Sequence, residues 1–217
     1  MNQGEYTMEN KEVNRAFQEM FIAAKKRLDE RSPVDIAEKA GVIFCKETST
    51  FKVDSLGETI EVEYPSYEIE GKMNSWHDLV ILQYFEMADG TPLDSQAVHF
   101  GELSDGLIRG TKFDKTAEQE LTRFLSNKQP DQVINVCKAL GGEIIDSKVD
   151  LCVVFSFLPY YTVTLNIWFA DDEFEASGKM LVNKTADHYL TLEGSVGVGE
   201  IMLKRISEKY KELYERA

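Results

Sequence analysis

The sequence predicts a single α+β domain in which helices cover an antiparallel or mixed sheet, and three observations predict it. Within Leu151–Phe174, two apolar runs, Leu151–Leu158 and Thr162–Phe169, meet at Pro159-Tyr160-Tyr161. Their β-branched and aromatic content is that of a central hairpin at about 150–170. Helical periodicity governs both ends of the chain and its middle. The elements also run helices, strands, helix, loop, helices, strands, helix, without the regular βαβ alternation of a doubly wound sheet.

Taken in order, residues 1–7 read as a tail. From Met8 to Arg31, the residues Val13, Phe17, Met20, Phe21, Ala24 and Leu28 fall on one stripe of a helix. A shorter helix restarts at Ser32-Pro33, with Ser32 as its N-cap, Asp35 near its positive end and Gly41 as its stop. This pair makes residues 1–41 an N-terminal helical segment ahead of an α+β body over 42–217, within one compact domain. Strand patterns follow at Val42–Lys46, Thr50–Val53 and Glu58–Tyr64, the last two flanking the turn Asp54-Ser55-Leu56-Gly57.

Ser75 and Asp78 form a capping-box-like start for the helix Trp76–Ala88, which Asp89-Gly90 ends. It is apolar almost all round, which marks a buried helix. Thr91–Gly110 lacks periodicity and reads as a long connection containing a short strand, Ala97–Phe100. Thr116–Ser126 and Asp131–Leu140 read as helices, the second stopped by Gly141-Gly142. Glu143–Asp146 leads into the hairpin, whose first run hardly alternates and is expected to be covered on both faces. Met180–Val182 is a further strand, and after the turn-rich 183–194 a helix from about Val196 to Tyr214 closes the chain.

The 38 acidic side chains against 24 basic ones give a net charge of −14. Such a surface repels phosphate backbones and anionic lipid, so neither nucleic acid nor a membrane is an expected partner. An apolar content of 43% is ample for a core. With no apolar leader and no run of about 20 apolar residues, the expectation is a cytoplasmic protein. Cys45, Cys137 and Cys152 lie far apart, which speaks against a disulfide framework or a self-contained zinc or iron–sulfur site.

No nucleophile elbow, P-loop or two-histidine metal helix is present. Ser195-Val196-Gly197-Val198-Gly199-Glu200 has the glycines of a phosphate loop but not its lysine, and reads as a helix-entry turn. Asp171-Asp172-Glu173 reads as a solvated turn in preference to a Ca²⁺ or Mg²⁺ site. Asp187-His188, with Gly194, Gly197 and Gly199 beyond it, departs in spacing from the aspartate–histidine loop of corrinoid-binding modules. The candidate ligand-binding residues are His77 and Tyr84 on the buried helix and His99, Glu102 and Arg109 in the irregular segment, since function concentrates on loops held by a scaffold.

Two blocks carry a resemblance: WHDLVILQYFEMADGTPLDSQAVHFGELSDG at 76–106 and LPYYTVTLNIWFADDEFEASGKMLVNKTADHYLTLEG at 158–194. Over roughly residues 40–210 the chain resembles an uncharacterised family of anaerobic bacteria and archaea, some members of which add a four-cysteine iron–sulfur domain. The resemblance implies a setting near corrinoid or iron–sulfur chemistry. This chain lacks the extra cysteines, so a cluster would have to come from a partner.

Three readings result. The first is a binding or accessory protein with a pocket between the buried helix and the sheet. It would hold an apolar, partly anionic molecule, such as a tetrapyrrole or corrinoid, with Arg109 on its carboxylates and His99 or His77 as donor or ligand. The second is an enzyme using His99, Glu102 and Asp105 for acid–base chemistry. The third is an adaptor or homodimer docking through the helix Met8–Arg31 or an acidic face.

Overall fold

In the computed structural model, which describes residues 5–70 and 75–215, the chain opens with helix α1, Glu5–Leu28. The helix thus takes in part of the expected tail; residues 1–4 and the side chain of Val13 lie outside the described residues. Helix α2, Pro33–Ala40, has the caps its sequence demands. The Ser32 hydroxyl accepts the Asp35 N–H, and Gly41 closes the helix in the left-handed conformation at φ 65°. Arg31, between the two helices, reaches across to donate to the carbonyls of Phe85 at 2.6 Å and Glu86 at 2.9 Å.

Strands β1 (Ile43–Cys45), β2 (Thr50–Ser55), β3 (Glu58–Glu63) and β4 (Ile69–Glu70) form a four-stranded antiparallel meander. Leu56 and Gly57, both at positive φ, make the two-residue turn between β2 and β3. Helix α3, Ser75–Met87, is buried along nearly its whole length as its composition requires; the Ser75 cap falls outside the described side chains.

After α3, Thr91–Gly110 departs from the expected long connection. A two-residue strand β5, Ala97–Val98, and one 3₁₀ turn, Phe100–Glu102, lead directly into helix α4, Gly106–Leu125, which begins ten residues before its predicted start. The reason is close packing. A Cβ on Gly106 or Gly110 would lie 2.3 or 2.1 Å from the Phe100 carbonyl oxygen, so only glycine lets the helix lie against that turn. Their low helix propensity is overridden by this contact.

Helix α5 (Pro130–Ala139) precedes strands β6 (Glu143–Ile145), β7 (Leu151–Leu158), β8 (Tyr161–Trp168) and β9 (Ser177–Asn183). With β5 they form a second antiparallel sheet, in the order β5-β9-β8-β7-β6. The predicted hairpin is β7–β8, paired Leu151 with Ile167 through Phe155 with Val163. The strands are therefore shared between two sheets, which touch where the Leu56 N–H donates to the Ser156 carbonyl at 3.1 Å. Only one face of β7 is fully covered. Val153, Phe155 and Phe157 are buried, while Cys152 and Val154 are half-buried and Ser156 is exposed, so it alternates more than its sequence suggests.

Helix α6, Leu192–Tyr214, starts four residues earlier than expected, at a Thr191 cap whose hydroxyl accepts the Gly194 N–H. It packs on α3, α4 and α5, and one apolar cluster runs from Ala24 on α1 to Tyr210 on α6. The glycines at 194, 197 and 199 are thus helical, with no phosphate-cradling loop.

Candidate functional site

Helices α3 and α6 cross antiparallel with a groove between them. A Cβ on Gly194 would meet Gln83 Oε1 at 3.2 Å, and one on Gly197 would meet Val80 Cγ2 at 3.8 Å, so the residue order along the two helices is opposed. The groove has a volume of about 650 Å³, within the range of small-molecule sites. Leu79, Val80, Val196 and Ile201 supply an apolar floor, and Gly197, with no side chain, leaves it deep. Gln83, Glu193 and Arg109 stand at one end. Trp76 and Met20 stand at the other, with Lys204 nearby. Trp76 is 49% exposed although its ring packs edge-on against Phe17.

The polar end is held by one ion pair, Arg109 Nε to Glu193 Oε1 at 3.2 Å, its two side chains 47% and 70% exposed. A pair that open to water contributes about 0–1 kcal/mol, so either partner is available to a competing ligand at little cost. Lys204 is similarly loose, 3.7 Å from Glu208.

Of the five candidate ligand-binding residues, Arg109 alone lines this groove. His77 is fully buried where the two sheets meet, stacked on Phe157. Its Nε2 lies 2.9 Å from the Ser55 hydroxyl, which in turn lies 2.6 Å from the Phe157 carbonyl. A carbonyl only accepts, so the single hydroxyl hydrogen goes to Phe157 and His77 must donate its Nε2–H to Ser55. This is the reverse of a histidine that activates a serine. Burial, reinforced by the Arg205 charge, holds the ring pKa down to about 4.

Tyr84 is also fully buried. Its hydroxyl donates to the Ala40 carbonyl at 2.7 Å and accepts the Tyr160 N–H at 3.0 Å, and its ring stacks on Tyr189. Burial raises the phenol pKa. Tyr84 therefore ties α2, α3 and the hairpin together.

His99 and Glu102 belong to the 3₁₀ turn. The Glu102 carboxylate accepts the His99 N–H at 2.8 Å, and His99 Nδ1 lies 3.8 Å from Asp114. Asp114 accepts the N–H groups of Phe100 and Gly101 at 3.0 and 2.9 Å. Asp105 is exposed in the left-handed conformation ahead of α4. These carboxylates fasten the turn onto α4, and neither His99, Glu102 nor Asp105 lines the groove.

His188 pairs with Asp89 at 2.8 Å on the surface, holding that carboxyl down to about 2, and Asp187 accepts from Ser104. Asp171 accepts the N–H groups of Glu173 and Phe174, which makes it a turn-former. Among the described residues no group of three or more His, Cys, Asp or Glu side chains could hold a metal, and the cysteines are free.

Sequence reading missed Trp76, Gln83, Glu193 and Lys204 as lining residues, and it placed Gly197 and Glu200 in a helix-entry turn. A signal was present: Gly194 and Gly197 sit three apart on one helix, and Trp76, Leu79, Val80 and Gln83 follow one face of another.

Fold and site together define an α+β protein whose distinctive feature is a helix-walled groove with an apolar floor and the Arg109–Glu193 pair at one end. The chain belongs to a family described as a domain of unknown function, DUF3786, whose model matches residues 32–205. Every groove residue but Met20 falls inside that match. Comparison with curated proteins and with solved structures gives no match. No described helix is long and apolar enough to cross a membrane.

Proposed function

We propose that the protein binds a small amphipathic molecule in the α3–α6 groove, its apolar body over Val80 and Gly197 and its anionic head at Arg109. The observation that carries the reading is the layout of the groove: an apolar floor of Leu79, Val80, Val196 and Ile201 with the Arg109–Glu193 pair and Gln83 at one end, and Trp76 and Met20 beside Glu200 and Lys204 at the other. A ligand carboxylate or phosphate displaces Glu193 from the Arg109 guanidinium, which presents two parallel donors to such a group. The apolar body then gains about 25 cal/mol for each Å² removed from water.

The tetrapyrrole or corrinoid implied by the resemblance asks for more than this groove offers. Neither His77 nor His99 reaches it, and no lining residue is a histidine, so the proposal keeps the apolar, anionic character and leaves out metal ligation. Binding without chemistry is the reading adopted, because the acid–base set of His99, Glu102 and Asp105 lies outside the groove.

Calorimetric titration with a medium-chain alkyl carboxylate, the equivalent alkyl alcohol and inorganic phosphate tests it. The carboxylate is expected to bind best, the alcohol about tenfold more weakly, as befits the loss of one charge-assisted contact worth about 1.4 kcal/mol. Filling the floor with Gly197→Leu should abolish both. Equal binding of carboxylate by the wild type and Gly197→Leu would overturn the assignment.

A further inference from the structure

Two exposed surfaces of this chain, both away from the groove floor, complement each other. The first turn of α4 presents Leu107 and Ile108, 82% and 83% exposed. Exposed Lys112 and Lys115 follow one and two turns later. Asp105 precedes this patch and the Asp114 carboxylate turns inward to the Phe100 and Gly101 N–H groups, so Lys112 and Lys115 are the charges beside the two aliphatic side chains. The second surface is the loop between β8 and β9, where Phe174 is 70% exposed. It is flanked by four exposed carboxylates, Asp171, Asp172, Glu173 and Glu175. Asp171 accepts the Glu173 and Phe174 N–H groups at 2.8 and 2.7 Å, so the loop is folded in a way that holds the phenyl ring out.

From these surfaces we infer that a second copy of this chain is the partner, with the Phe174 loop of one copy docking on the Leu107–Lys115 patch of the other. The placement suits a two-fold. The segment after the loop packs on the far end of α4, since a Cβ on Gly178 would touch Leu121 and Leu125. The aliphatic end of the patch, Leu107 and Ile108, is at the near end, about 20–27 Å from Leu121 and Leu125 at 1.5 Å per residue. Two copies of α4 running antiparallel therefore bring each loop to the other's patch, and the contact is made twice. Like-charge repulsion between two acidic bodies is screened beyond about 8 Å at physiological ionic strength, whereas charges in contact are not.

Sedimentation velocity on the full chain, at micromolar concentration and physiological ionic strength, tests this. The wild type is expected to be a dimer. Phe174→Ser, the pair Lys112→Glu with Lys115→Glu, and the pair Asp172→Lys with Glu173→Lys should each weaken association by at least about tenfold. Combining the two charge-reversed pairs in one chain restores opposite signs across the interface and should restore the dimer. A monomeric wild type overturns the inference, as does open-ended growth in place of a closed dimer. So does failure of the combined variant to dimerise when its circular dichroism shows it folded. Phe174→Ser and the Asp172→Lys, Glu173→Lys pair lie on the β8–β9 loop, none of whose residues lines the groove, so their effect on association and the calorimetric result stand apart.

Discussion

His77 donates its Nε2–H to the Ser55 hydroxyl across 2.9 Å, at the buried seam where the last residue of β2 meets β7. The ring must stay neutral there, because burial holds its pKa at about 4 against about 6.5 in the unfolded chain. Above pH 6.5 both forms are neutral and this group's contribution is complete. As the pH falls from 6.5 to 4, the unfolded chain takes up a proton that the folded one refuses, and stability is lost.

Urea unfolding at pH 7 and pH 4, for the wild type and His77→Gln, should show that difference. The wild type is expected to lose about 3 kcal/mol more than the variant over this interval. Parallel losses would show that the ring titrates normally.

Two helical glycines should respond with opposite signs to alanine. At Gly110 the new methyl would sit 2.1 Å from the Phe100 carbonyl oxygen and 2.5 Å from its carbon, and Gly110→Ala is expected to cost about 3 kcal/mol as overpacking against backbone. At Gly197 the nearest atom is 3.8 Å away, so Gly197→Ala should stabilise by about 0.5–1 kcal/mol through helix propensity. Denaturant midpoints of the two variants decide it.

Arg31 holds the C-terminal end of α3 by donating to the Phe85, Glu86 and Ala88 carbonyls, while Asp35 pairs with it at 2.7 Å. Arg31→Ala leaves those carbonyls without their charged donor and is expected to cost about 2 kcal/mol. Arg31→Lys should recover only part, since an ammonium lacks the planar fork that spans several carbonyls. Thermal unfolding of both variants measures it.

The hairpin, the Ser32–Gly41 helix and the buried α3 were legible because each is specified by neighbours in sequence: strand composition, caps, and the distribution of apolar residues round one helix. The beginnings of α4 and α6 were not. Gly106, Gly110, Gly194, Gly197 and Gly199 look like punctuation along the chain. In the fold they are helical positions, and Gly106, Gly110 and Gly199 are packed where a neighbouring backbone or ring comes too close for a side chain.

The division into two sheets was hidden for a similar reason, since it depends on where the Leu56 turn lands on Ser156, 100 positions away. Arg109, named with His99 and Glu102 from the irregular segment, is the candidate that lines the groove. His77, Tyr84, His99 and Glu102 drew attention by residue type, and each is engaged in holding elements together. The groove could not be read at all, because it exists only once α3 and α6 cross antiparallel.

The most direct test of the groove assignment uses Trp76, which stands at the end away from Arg109. Emission of the wild type is titrated with a fatty acid brominated near the chain terminus, a contact quencher, alongside Trp76→Phe, Arg109→Gln and Gly197→Leu. Saturable quenching is predicted for the wild type. It should vanish in Trp76→Phe, leaving only Trp168, need about tenfold more ligand in Arg109→Gln, and be absent in Gly197→Leu. Quenching that does not saturate, or that is unchanged by Gly197→Leu, would contradict a ligand lying in the groove between α3 and α6.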